Sequence, residues 1–105
     1  MRALALTSAT RSDLLPGVPA AAEFVPGYEA TVWDALGAPA KTPIEIVGEL
    51  NKAINAVLSD PATKERFAGL GAEPMPMTPA ALGQYIAGET EKWAKVVKTA
   101  HIKVE

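Results

Sequence analysis

A capping residue followed by proline occurs three times in this sequence, at Thr42-Pro43, Asp60-Pro61 and Thr78-Pro79. The cap oxygen accepts a hydrogen bond from a backbone N–H of the first turn. Proline at the first helical position lacks an N–H that would have no partner there. Each pair therefore predicts a helix start, and together they set the architecture of the C-terminal two thirds of the chain.

The helix from Pro43 carries the strongest pattern. Thr42 and Glu45 stand three apart, the spacing of a capping box. Ile44, Val47, Leu50, Ile54, Val57 and Leu58 recur at three- and four-residue steps and form an apolar stripe, with Asn51, Lys52 and Asn55 off it. A second helix is expected over residues 61–68, presenting Phe67 and stopping near Gly69 and Gly71. A third is expected over residues 79–100, with Leu82, Tyr85, Ile86, Trp93, Val96, Val97 and Ala100 in line and Glu89 the one charge among them. Upstream, residues 3–6 are a short apolar run that suits a buried parallel strand. Residues 7–19 are polar and turn-rich, residues 20–24 suit a short helix, and Thr31, Val32 and Trp33 give residues 30–36 strand composition. Residues 72–77 read as extended, and Pro74 and Pro76 either confine them to a sheet edge or make them no strand at all. Strands alternating with helices give an α/β class, with a small sheet of two or three strands and about four helices. The length of 105 residues predicts one domain, residues 1–105, burying roughly 65% of its unfolded surface, with the six aromatic residues as core anchors.

A net charge of −2 supplies no field to draw in nucleic acid or an anionic membrane. The sequence holds no cysteine, which excludes disulfides and thiolate chemistry. The apolar run after Arg2 stops at Thr7-Ser8, too short for a secretory leader, so the chain as it stands is expected in the cytoplasm. No constellation points to catalysis, a cofactor or a metal. His101 has Glu105 as its nearest carboxylate and reads as a cation at a helix C-terminus. Ser8 follows a strand but lacks the Gly-x-Ser-x-Gly elbow of a nucleophile. Glu89 and Glu91 point about 200° apart on a helix, so they cannot work as a pair. Gly69-Leu70-Gly71 ends a helix where a dinucleotide loop would begin one, and Met75 and Met77 have no third soft ligand nearby. Lys92, Lys95 and Lys98 read as a solvated helix face.

The ordered set Arg2 to Ser8 with Arg11, Leu15-Pro16-Gly17-Val18-Pro19, Glu23 with Val25-Pro26-Gly27-Tyr28-Glu29, Trp33, Ala38-Pro39 with Thr42-Pro43, Asp60-Pro61, Leu70-Gly71 and Glu91-Lys92-Trp93 resembles the C-terminal third of the solute receptors of tripartite tricarboxylate transporters, the Bug-type binding proteins. The resemblance implies one partial domain, a piece of a Venus-flytrap (type II periplasmic-binding-protein-like) lobe without enzymatic activity. It implies a truncated receptor of a family that binds small carboxylates in the periplasm and works with membrane transporter subunits. By position and resemblance, Thr7, Ser8 and Trp33 are the expected ligand-binding residues. The alternative is a remnant that binds no ligand and serves as a self-associating interaction protein. A homodimer is expected in either case, because apolar helices remain without an intramolecular partner.

Overall fold

The computed structural model describes residues 2–103; Glu105, the expected neighbour of His101, lies outside them. Three helices dominate: α1 (Ile44–Ser59), α2 (Pro61–Gly69) and α3 (Pro79–Thr99), preceded by a single 3₁₀ turn at Ala21–Glu23. The chain divides into two compact units, Met1–Gly37 and Ala38–Glu105.

In the first unit the expected sheet does not form. Among the described residues its only trace is a parallel bridge between Leu6 and Ala20. The Leu6 N–H donates to the Pro19 carbonyl at 2.8 Å and the Ala21 N–H donates to the Leu6 carbonyl at 2.8 Å. The ladder stops there for two local reasons. Pro19 has no N–H to offer, and the chain winds into the 3₁₀ turn at Ala21. On the other side of residues 6–7, the Ala30 N–H donates to the Thr7 carbonyl at 2.9 Å. No strand follows from it: Val32 is 96% exposed. Residues 72–77 are not a strand either, since Pro74 and Pro76 cannot donate.

In the second unit, two of the three expected caps are present. The Thr63 N–H donates to Asp60 Oδ2 at 3.0 Å and the Ala81 N–H donates to Thr78 Oγ1 at 3.1 Å, with Pro61 and Pro79 beginning their helices. The third start is displaced by one residue. Pro43 is itself the N-cap, its carbonyl accepting the first helical bond from Val47 at 3.1 Å, and no side chain caps the helix. Thr42 is instead part of a turn, its N–H donating to the Pro39 carbonyl at 2.9 Å. The Thr42–Glu45 capping box is therefore not formed. Asp60 ends α1 and caps α2, so one residue serves both helices.

The stops of α2 and α3 share one geometry. Gly71 has φ +73° and His101 has φ +53°. After Gly71, the Ala72 N–H reaches back to the Phe67 carbonyl at 2.9 Å; after His101, the Ile102 N–H reaches the Val97 carbonyl at 3.1 Å. Both are Schellman motifs with a left-handed residue just beyond the cap. Glycine adopts that conformation freely, whereas histidine does so at a steric cost.

Packing departs most from expectation on α1. Val47, Asn51, Ile54, Asn55 and Leu58 form its half-buried line, whereas Ile44, Ile46, Leu50, Ala53 and Val57 are exposed. The asparagines were expected to fall away from the apolar stripe. They face inward because the Met77 carbonyl, left without a ladder partner, is satisfied by them. Asn51 Nδ2 donates to it at 2.9 Å and Asn55 Nδ2 at 3.0 Å, while Asn55 Nδ2 also lies 3.2 Å from Asn51 Oδ1. Met77 immediately precedes the Thr78 cap, so this clamp fixes the start of α3 against α1.

Core burial is small. Among the described residues the one fully buried hydrophobic side chain is Ala20, and Phe24, Tyr28 and Trp93 are exposed rather than core anchors. The chain exposes 8750 Å², against about 5600 Å² for a typical folded chain of 11.0 kDa. It thus buries about 45% of its unfolded surface, not roughly 65%.

Candidate functional site

The expected ligand residues all fall in the first unit. Thr7 and Ser8 follow the Leu6–Ala20 bridge, and Trp33 lies three residues beyond the Ala30–Thr7 backbone bond. Thr7 is exposed; Ser8 and Trp33 are half-buried. The Ser8 hydroxyl donates to the Thr10 carbonyl at 2.7 Å, which closes the loop after the bridge. Backbone pairing brings Thr7 beside residue 30. Two hollows lie on other elements, one on α1 beside Ile46 and Leu50 and one at the end of α3 beside Val96 and Ala100, and both are open to solvent.

The best-organised polar group in this unit is one that the sequence did not single out as a site. Arg11 Nε donates to Glu23 Oε1 at 2.8 Å and Arg11 Nη2 to Glu23 Oε2 at 2.7 Å, a bidentate pair spanning the loop. The Ala20 N–H adds a third bond to Glu23 Oε1 at 2.9 Å. The Arg11 hydrogen bonds, and secondarily the Ala20 N–H, lower the Glu23 pKa to about 2 from an ordinary 4.5. A glutamate three residues after Ala20 is the signal that could have revealed it, since that spacing lets a carboxylate reach back to the N–H of the residue opening a turn.

On α3, Glu89 is 8% exposed although charged. Trp93 Nε1 donates to its Oε2 at 3.0 Å and Lys92 forms an ion pair with its Oε1. The Lys92 ammonium also lies 5.6 Å from the Trp93 ring centroid, within cation–π range. Lys92 is therefore half-buried against its own helix and does not belong to a solvated face. Lys95 does, pairing with Glu91 at 2.8 Å. Among the described residues, no three His, Asp or Glu side chains converge as a metal site. Among the described residues, no helix is long and apolar enough to cross a membrane.

Residues 1–102 match the sequence profile of the tripartite tricarboxylate transporter family receptor. The chain is 41% identical over 104 residues to the UPF0065 protein in the TAR-I ttuE-ttuC' intergenic region of Agrobacterium vitis, covering 95% of this chain and 30% of that protein. It is 40% identical to the protein BugT of Bordetella pertussis, covering 100% of this chain and 32% of BugT. The solved structure of R. palustris Rpa4515 with adipate superposes with a TM-score of 0.80 at 39% identity, over 93% of this chain and 33% of that one. The chain thus spans about a third of the length of the relatives it matches. With a profile match over nearly all of its residues, the chain belongs to the tripartite tricarboxylate transporter receptor family.

Proposed function

We propose that this chain is a portion of a solute receptor that holds a small carboxylate for a tripartite transporter, acts in the periplasm with the transporter's membrane subunits, and performs no catalysis. The observation that carries this reading is the superposition, at 39% identity, on a protein solved with adipate. Within this reading Thr7, Ser8 and Trp33 line the ligand, with the Ser8 hydroxyl turning from the Thr10 carbonyl to a carboxylate oxygen. A thermal-shift screen of adipate and other di- and tricarboxylates tests it. A ligand that binds the folded state raises the midpoint, and Ser8→Ala with Trp33→Ala abolishes that rise while leaving the unliganded midpoint in place. A flat response to every carboxylate overturns the reading; a rise that survives both substitutions removes those residues from the site.

One observation favours a second reading, a self-associating protein that closes as a two-fold dimer: apolar side chains on α1 and α3 are exposed. Sedimentation equilibrium at micromolar concentration checks it, and a single species at 11.0 kDa overturns it.

A further inference from the structure

Residues 6–11 and 20–23 form a closed circuit. Leu6 meets Ala20 through the parallel bridge, the Ala21 N–H donating to the Leu6 carbonyl at 2.8 Å. Further along, Arg11 donates to both oxygens of Glu23, from Nε to Oε1 at 2.8 Å and from Nη2 to Oε2 at 2.7 Å. Glu23 Oε1 also accepts the Ala20 N–H at 2.9 Å, which returns the circuit to the bridge. Thr7 and Ser8 lie in the segment between these two tethers. That segment has two further ties: the Ser8 hydroxyl donates to the Thr10 carbonyl at 2.7 Å, and the Ala30 N–H donates to the Thr7 carbonyl at 2.9 Å. Ala20 is buried, whereas the Arg11 and Glu23 side chains are 58% and 40% exposed. An ion pair so open to water adds little to global stability. What its two parallel bonds do supply is a fixed distance and angle between the loop and the 3₁₀ turn. Without them residues 8–11 hang from the bridge end alone, and ordering them falls to whatever binds there.

We propose that Arg11 and Glu23 are a positioning pair: they hold the loop carrying Thr7 and Ser8 in the shape that meets a carboxylate, and touch no ligand themselves. The inference rests on the receptor reading above. The rival role for Arg11 is direct recognition of the ligand by its guanidinium. Geometry favours positioning. The side-on donors Nε and Nη2 are already taken by a carboxylate that a third hydrogen bond anchors, so a ligand would have to displace one held on site. Glu23 also cancels the charge that would attract an anion. The two roles predict opposite signs for one substitution. In Glu23→Gln the amide oxygen can still accept the Ala20 N–H, but the guanidinium is released. Release loosens the loop and weakens binding if the pair positions; it frees a cation and strengthens binding if Arg11 is the anchor.

The test measures adipate binding calorimetrically to the full chain, Glu23→Gln, Arg11→Gln and the double variant. Each single substitution should weaken binding about three- to tenfold, the ordering cost of side chains that the pair holds still. The double variant should weaken it no further, because each residue acts only through the other. Urea midpoints should hardly move, which separates positioning from a role in stability. A second arm omits adipate and follows amide hydrogen exchange. The Ala30 N–H, bonded to the Thr7 carbonyl, should exchange faster in all three variants, while amides of α1 and α3 keep their parent rates. Tighter binding by Glu23→Gln assigns Arg11 to the ligand and overturns the inference, as does an Arg11→Gln loss that the double variant deepens. Affinity that all three variants keep also overturns it. A parent chain on which adipate has no effect counts against the receptor reading instead; exchange at Ala30 then decides whether the pair holds the loop, and an unchanged rate overturns the inference.

Discussion

Glu23 shows how much one carboxylate can organise in a segment without a sheet. It holds the Arg11 guanidinium with both oxygens and takes the Ala20 N–H as well, so the loop, the bridge residue and the 3₁₀ turn meet on one side chain. Its folded pKa of about 2 lies below the ordinary 4.5, so the ionised form is the one that the fold favours. The stabilisation is fully present above pH 4.5 and is lost as the pH falls towards 2. Carboxyl chemical shifts followed by NMR should give a Glu23 midpoint near 2, and Arg11→Ala should move it back up towards 4.5. His101 offers a second test. It occupies a left-handed conformation at φ +53°, the role that Gly71 fills after α2. His101→Gly should stabilise the chain by about 1 kcal/mol in urea unfolding, through relief of the Cβ clash. A loss of stability would mean that the imidazole makes a contact worth more than that clash.

At the scale of elements, side-chain caps that are present should count and the one that is absent should not. Asp60→Ala and Thr78→Ala each remove a side-chain cap bond and should cost about 1 kcal/mol. Thr42→Ala removes none and should stay below about 0.5 kcal/mol. Chemical denaturation of the three variants gives the ranking directly. Leu50→Ala, expected from the apolar stripe to be a severe core truncation, should cost less than about 1 kcal/mol, because Leu50 is 50% exposed. The double variant Asn51→Ala/Asn55→Ala strips the Met77 carbonyl of both donors and should cost about 1–3 kcal/mol. If Leu50→Ala proved the costlier change, the orientation of α1 would be wrong. The helices were legible in the sequence because caps, prolines and apolar spacing are local signals. Two caps could be read from Asp60 and Thr78, the stop of α2 from Gly69 and Gly71, and α1 from Pro43 and its apolar spacing. The inward turn of Asn51 and Asn55 could not, because it depends on a carbonyl 22 residues and more away. The strands failed for the same reason. Composition at Val32 and Trp33 suits a strand, but a ladder needs a neighbour, and residues 19–21 supply only one bridge. Thr7, Ser8 and Trp33 were chosen by position and resemblance; the sequence contained no signal that would bring them around one ligand.

At the scale of the whole molecule, the surface left bare is the dominant fact. The denaturant slope of unfolding scales with the area newly exposed. This chain alone should therefore show a slope roughly 0.7 of that usual for 105 residues, since it buries about 7200 Å² where about 10,400 Å² is typical. Urea titration monitored by the fluorescence of Trp33 and Trp93 reads that slope, and a value normal for the length would show a core more extensive than Ala20 and the half-buried lines of α1 and α3. So much uncovered apolar surface also bears on how long a copy lasts. Few buried contacts leave open states well populated, and those are the states that proteases cut, so susceptibility to cleavage should follow the exposed lines of α1 and α3.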